Sequence, residues 1–297
     1  MTNISNPIIF FGTESFSLVA LAGLIDAGYP IAAVVTKPDS KKGRGQHLTP
    51  PEVKVLAAQH NIPVWQPTRL DDIAGDVKAL GSVTGVLVSY GRIIPQSVID
   101  LFTPGIINVH PSLLPRYRGP SPIESAIKNG DDITGVSIMQ LVAAMDAGPV
   151  YVATQYPLSG TETSPELYQM LADRGTQLLI DVLPTIIDGS LQPQPQDQSQ
   201  ATYCQLLSKA DSHLDLTATT AVQAERIVRA QLTFPKTKVT IDGHELIITV
   251  AHVSNQQKTP LDVKCQDGAF LSIDKLITPA GRRTDAAGYL RGYAAAS

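Results

Sequence analysis

The chain has 297 residues, 43% hydrophobic and 17% charged, a balance that fits a soluble globular protein with two domains of unequal size and excludes a disordered or fibrous one. Every apolar run is broken by Asp, Lys, Arg, Gly or Pro, so none approaches a membrane span, and Met1–Pro7 lacks the basic start and apolar stretch of a secretion signal. The formal charge of −4 argues against nonspecific nucleic-acid binding, but it is unevenly spread: residues 1–203 carry 12 Lys and Arg against 18 Asp and Glu, whereas residues 226–297 carry 10 against 6.

In chain order, Ile8-Ile9-Phe10-Phe11 ending at Gly12 is a short apolar run of the kind buried on both faces of a parallel sheet. Ser15–Ala27 reads as a helix with Ser15 as its N-cap and Gly28 as its stop. Ile31–Val35 is a second strand and Val53–Gln59 a second helix. Strands are expected over Gly85–Ser89 and Ile106–Val109, with a helix around Gln96–Leu101 between them. Strands at this spacing imply βαβ units: an α/β, Rossmann-like domain with a doubly wound, mostly parallel sheet and its site at the carboxyl ends of the strands. Gly135–Val142 and Val150–Tyr156 follow as strands, then a long helix over Ser164–Ile187.

Asp188–Gln200 is rich in Gln, Pro and Ser and reads as a linker. Beyond it, Ala221–Ala230 is expected as a helix. Lys238–Ile241, Glu245–Val250, Leu261–Cys265 and Ala269–Ile273 are expected as short strands. The pairs Asp242-Gly243 and Asp267-Gly268 mark turns between them, so a small C-terminal β-barrel is expected. The domain reading is therefore 1–188, a linker over 189–203, and 204–297. Cys204 and Cys265 lack metal-ligand spacing and read as two free thiols in a reducing cytoplasm. No Gly-x-Gly-x-x-Gly follows the first strand and no phosphate-loop motif occurs, so neither a nicotinamide dinucleotide nor a nucleoside triphosphate is expected.

Asn108 and His110 lie two residues apart at a strand's end, which puts both side chains on one side of the sheet and Val109 on the other. A lone His is more often structural than catalytic. An Asn beside it at a strand's carboxyl end improves the odds. Asp146 sits in Met145-Asp-Ala-Gly-Pro149, flanked by residues that make it a poor solubilising charge, although Asp-Ala-Gly is also a turn signal. If it meets His110, its carboxylate orients the ring. No Ser or Cys has a nucleophile's setting and no cluster has metal spacing. The set suits direct transfer between two bound substrates.

Asn108-Val-His-Pro-Ser-Leu-Leu-Pro115, with Arg116-Tyr-Arg-Gly119 and Pro122-Ile123, resembles the signature of the 10-formyltetrahydrofolate-dependent formyltransferases, and Asp146 matches that family's third catalytic position. The resemblance runs from Phe11-Gly12-Thr13 to Gly288-Tyr-Leu-Arg-Gly292. It implies a Rossmann-like catalytic domain followed by a small barrel of the oligonucleotide-binding type. It also implies Asn108, His110 and Asp146 as catalytic residues, Ser112, Leu113, Leu114 and Pro115 along the folate, and 10-formyltetrahydrofolate as donor without a metal.

Several enzymes of the family share the Asn, His, Asp set, so the acceptor must be read elsewhere. Lys37–Lys54 resembles the insertion loop by which the transfer-RNA branch approaches the acceptor end of its substrate. Its tip holds Lys41, Lys42, Arg44 and His47 among glycines, suited to phosphates and unpaired bases. This points to the α-amine of methionyl-initiator transfer RNA, formylated for translation initiation by a chain expected to act as a monomer. The competing readings are a sugar-nucleotide amine formyltransferase with the same donor, and a non-catalytic RNA-binding module. One departure from the family is Leu232-Thr-Phe-Pro-Lys236, where an aromatic, Pro-rich segment is common. By the same resemblance, the imidazole and Asn108 stabilise the charge that forms when the amine attacks the formyl carbon. Asp146 holds His110 and helps remove the amine proton.

Overall fold

The computed structural model describes residues 6–42 and 45–293. The described chain folds as two compact units: Met1–Pro120 with Gly135–Tyr156 and Tyr168–Cys204, and Ser121–Thr134 with Pro157–Leu167 and Gln205–Ser297.

The first unit opens with β1 (Ile8–Gly12), α1 (Ser15–Asp26) and β2 (Ile31–Val35). The apolar run of β1 is buried along its whole length, as a strand covered on both faces must be. A short hairpin, β3 (Ser40–Lys42) and β4 (His47–Thr49), then α2 (Glu52–Gln59) and β5 (Val64–Trp65) lead on to α3 (Ala74–Ala79) and β6 (Thr84–Val88). After α4 (Gln96–Ile99), β7 (Ile106–His110) is again buried throughout. α5 (Pro122–Asn129), which belongs to the second unit, begins on a proline and stops at Gly130 in the left-handed conformation. β8 (Ile133–Gln140), β9 (Val150–Pro157) and the long α6 (Ser164–Ile187) complete this half of the chain.

The seven-stranded sheet has the order β5-β2-β1-β6-β7-β8-β9. β5, β2, β1, β6 and β7 pair in parallel and β8 returns antiparallel to β7. This is the doubly wound α/β fold: the chain builds outward from β1 through β2 and β5, then returns to add β6 and β7 on the other side. One face of the sheet is filled by Ile9, Phe11, Ala33, Val35, Tyr90, Val98 and Ile106. Phe11 meets Tyr90 and Phe102 edge to face, each with centroids 5.7 Å apart. Beneath the strand that carries Asn108 and His110, a side chain on Gly175 of α6 would collide with Val109 and Val136. Val109 therefore packs into the core, as the two-residue alternation requires.

The second unit holds α7 (Ala221–Ala230), whose first turn is closed by reciprocal Thr220 and Gln223 bonds. α7 covers an antiparallel curled sheet of β10 (Lys238–Ile241), β11 (His244–Ser254), β12 (Asp262–Lys264), β13 (Phe270–Ile277) and β14 (Arg283–Asp285), ending in α8 (Ala286–Tyr293). Asp242 and Gly243 both take positive φ, the conformation of a tight two-residue hairpin. Register shifts within β11 between Ile248 and Ala251 bend it around an apolar core of Val228, Val239, Leu246, Ile248, Leu271 and Leu276. The result is the small barrel-like domain expected of this segment.

Residues 189–203 do not behave as a free linker. Gln194 exchanges two backbone hydrogen bonds with Val150 at 2.8 Å, and Arg118 and Tyr203 form a parallel bridge. The low apolar content that suggested a linker reflects contacts made by side-chain amides instead of by hydrophobic burial.

Candidate active site

Asn108 and His110 end β7, where the strand is buried on both faces, and each is 5% exposed. His110 Nε2 lies 2.9 Å from the Tyr117 carbonyl. A carbonyl only accepts, so Nε2 carries the proton and Nδ1 is the nitrogen left for other partners. Nδ1 is 3.8 Å from Asp146 Oδ2, beyond hydrogen-bond length but an ion-pair distance when the ring is charged.

Asp146 is a non-glycine residue at φ +46, and the turn around it is held from several sides. Its Oδ2 accepts from the Gly119 amide at 2.8 Å. Gly119 is at φ +117, and a side chain there would run into the Cys204 carbonyl, so only glycine brings this amide to the carboxylate. Among the described residues neither Asp146 Oδ1 nor the Asn108 side-chain amide has a hydrogen-bond partner. The Asn108 amide atoms are not fully enclosed: they keep contact with solvent and are open to a ligand.

The segment after His110 is braced internally. Ser112, 1% exposed, donates to the Arg116 carbonyl at 2.6 Å. Ser137 of β8 donates to the Ser112 carbonyl at 2.7 Å and accepts from the Leu114 amide at 3.1 Å. Ser112, expected along the folate, has its hydroxyl spent on this turn, so what it has to offer a ligand is backbone. Leu113, Leu114 and Pro115 remain partly exposed.

Arg118 was legible only as a motif letter, yet it is 1% exposed and organises the neighbourhood. Its guanidinium donates to Gln196 Oε1 at 3.0 and 2.7 Å, to Gln198 Oε1 at 2.9 Å and to the Tyr203 hydroxyl at 3.2 Å. Gln196 escaped sequence reasoning because it stands in a stretch made mostly of Gln, Pro and Ser.

In the expected transfer-RNA loop, Lys41 is exposed on β3. Arg44 and the side chain of Lys42 lie outside the described residues. Lys54, at the loop's far end, serves its base: its ammonium bonds Asp39 at 2.8 and 2.9 Å and Gln66 at 2.8 Å. Lys54 and Gln66 hold the Asp39 carboxyl below the usual carboxylate range. A hollow of about 550 Å³ in the second unit is lined by Leu232, Lys236, Lys275 and Arg283 among others, so the Leu232–Lys236 segment forms part of a basic concavity. Among the described residues no three His, Cys, Asp or Glu side chains are grouped to hold a metal ion, and no helix is long and apolar enough to cross a membrane.

Residues 7–183 match the family described as formyl transferase. The chain is 41% identical over 287 residues to the methionyl-tRNA formyltransferase of Stutzerimonas stutzeri (strain A1501), covering 93% of this chain and 91% of that protein. Its fold resembles HypX from Aquifex aeolicus in complex with tetrahydrofolic acid, with a TM-score of 0.67 at 17% identity over 95% of this chain and 46% of the other. It also resembles an N-formyltransferase from Helicobacter canadensis in complex with folinic acid and dTDP-3-aminofucose, with a TM-score of 0.68 at 16% identity over 90% of this chain and 98% of the other.

Proposed function

The chain belongs to the formyl transferase family, and on that premise we propose that it transfers the formyl group of 10-formyltetrahydrofolate to the α-amine of methionyl-initiator transfer RNA, giving N-formylmethionyl-tRNA. The observation that carries the chemistry is the Asn108 amide, without a protein partner among the described residues and open to a ligand, two residues from His110 on one strand, with Asp146 within 3.8 Å of the imidazole. The donor supplies a one-carbon acyl unit bound to nitrogen, whose oxygen gains negative charge as an amine attacks.

Asn108 Nδ2 offers that oxygen a preorganised donor in a site shielded from water, where such a bond counts most. His110 offers a second through Nδ1 when the ring carries both protons, since Nε2–H is committed to Tyr117. Asp146 is the counter-charge for that ring. Its free Oδ1 is placed to accept the amine proton, while Oδ2 stays bound to Gly119. The half-exposed faces of Leu113, Leu114 and Pro115 suit the flat ring system of a folate.

The acceptor rests on the relatives near 40% identity across nine-tenths of the chain. Exposed Lys41 with Lys42 and Arg44 supports a hairpin that meets the acceptor end. The basic hollow at Lys236, Lys275 and Arg283 supports the 204–297 region as the holder of the transfer-RNA body. Two buried free thiols suit an enzyme of the reducing cytoplasm, where translation takes place. The likeness to sugar N-formyltransferases is at 16–18% identity and concerns the fold.

One assay decides the acceptor: the protein is incubated with 10-formyltetrahydrofolate and either methionyl-initiator transfer RNA or an amino-sugar nucleotide. Formyl appearing on the methionyl amine is the expected result. Formyl appearing only on the sugar overturns the reading.

A further inference from the structure

The segment expected to be a linker touches both halves of the catalytic arrangement. At its end, Arg118 N donates to the Thr202 carbonyl at 2.9 Å, Tyr117 N to Thr202 Oγ1 at 2.9 Å, and Cys204 N to the Arg118 carbonyl at 2.8 Å. The Cys204 thiol also faces the Tyr117 carbonyl that holds His110, at 3.7 Å. Nearer its middle, Gln196 reaches the turn of Asp146. Its Nε2 donates to the Asp146 carbonyl at 2.8 Å and to the Gly148 carbonyl at 2.7 Å.

The orientation of this amide is dictated by chemistry. Gln196 Oε1 receives two N–H groups from Arg118, and a guanidinium only donates. The amide oxygen must therefore face Arg118, which turns the NH2 toward the two carbonyls of the Asp146 turn. Among the described residues Arg118 has no carboxylate partner. Its buried charge is met by the Gln196 and Gln198 oxygens, the Tyr203 hydroxyl and the Tyr203 ring at 5.8 Å. A buried cation served by neutral acceptors holds them firmly, because each lost bond leaves charge uncompensated.

Asp146 needs such a restraint. At φ +46 its backbone is in a sparsely populated region for a residue with a side chain, and it persists only where its surroundings hold it. Residues 118 and 119 supply both grips: Gly119 binds the carboxylate through its N–H, and Arg118 grips the backbone by way of Gln196.

We propose that Gln196 is a positioning residue for formyl transfer, fixing the Asp146 turn so that its carboxylate stays opposite His110. The inference rests on the reading of Asp146 as catalytic. Two substitutions separate positioning from mere bracing. Gln196→Glu keeps an oxygen for Arg118 but sets an acceptor against the Asp146 and Gly148 carbonyls. Beyond any loss of melting temperature, it lowers kcat by about 10- to 100-fold and leaves KM for both substrates within about threefold, as a misplacement near 1 Å does. Gln196→Met fills the same space without either bond and lowers kcat in the same way, which decides the matter if the Glu variant does not fold. Wild-type kcat in Gln196→Glu, or a change confined to KM or melting temperature, overturns the proposal. Asp146→Ala is measured in parallel. If it keeps its turnover, the reading of Asp146 fails; if it is inactive while Gln196→Glu is normal, only the part given to Gln196 fails.

Discussion

His110 is committed on one side and open on the other: Nε2 bonds the Tyr117 carbonyl at 2.9 Å, and Nδ1 faces Asp146 Oδ2 at 3.8 Å. One nitrogen fixes the ring and the other is left for the proposed chemistry. Replacing Asp146 by Asn preserves an acceptor for Gly119 but removes both the counter-charge and the proton acceptor. Turnover of Asp146→Asn is expected to fall by about 10²–10⁴-fold, with folding unchanged. Single-turnover kinetics with both substrates bound checks this, and near-normal turnover would remove Asp146 from the catalytic set.

Asn108 separates stability from rate. Because its amide bonds no protein group among the described residues and keeps solvent contact, Asn108→Ala removes no protein hydrogen bond and leaves the melting temperature near wild type. The same change removes a donor to the formyl oxygen and lowers kcat by about 10²–10³-fold. Calorimetry and kinetics on one preparation test both halves, and a clear loss of stability would show that the amide is partnered.

Gly119→Ala couples structure to rate. The added methyl meets the Cys204 carbonyl at a backbone angle that disfavours any side chain, so a stability loss of about 1–3 kcal/mol is expected. The Gly119 amide moves with the strain, and kcat falls with it. Denaturant titration together with turnover measures the pair, and wild-type values in both would contradict the close approach.

In the second unit, Asp262 is buried. Burial pushes its carboxyl up, but the Lys258 and Thr259 amides, at 2.6 and 2.7 Å, outweigh that together with hydroxyl contacts, and the group is held below the usual carboxylate range. The unfolded chain binds this proton more tightly than the folded chain. The stabilisation is therefore present above the unfolded value of about 3.9 and is lost as pH falls through the folded one. Asp262→Asn is expected to cost about 1.5–3 kcal/mol at neutral pH, with the gap narrowing below about pH 4. Urea melts at pH 7 and pH 3.5 check it; a gap that does not narrow refutes it.

The proposed hold on transfer RNA is electrostatic and is expected to weaken with salt. Lys41→Ala on the exposed hairpin raises KM for methionyl-tRNA, leaves kcat nearly unchanged and reduces the salt slope of log KM by about 1. A salt-independent KM would count against the basic surfaces as its seat.

Much of this arrangement was open to reading before any coordinates. The apolar runs of β1 and β7, the spans of α6 and α7 and the Asp242-Gly243 turn are local matters. Propensity, periodicity and a positive φ decide them over a few residues, and α6 and α7 fall at Ser164–Ile187 and Ala221–Ala230 as expected. Short or polar elements were less visible. The hairpin at 40–49 and the two-residue β5 carry too few apolar side chains to show a period.

By itself the sequence determined the chemistry on offer: Asn108 and His110 share a side of β7 because strand residues two apart must, and the Asn-Val-His-Pro-Ser-Leu-Leu-Pro run carries the family. Only the tertiary structure decided how that chemistry is held. Gly119 and Gln196 reach Asp146 from 27 and 50 residues away, and Arg118 acts through Gln196. Arg118 and Gly119 stand in the recognised motif, but bonds made through a backbone amide and an uncharged side chain do not show in a single chain which residue they will hold. Hydrogen bonds between distant segments depend on where the sheet brings them, which is a property of the fold and not of any local stretch.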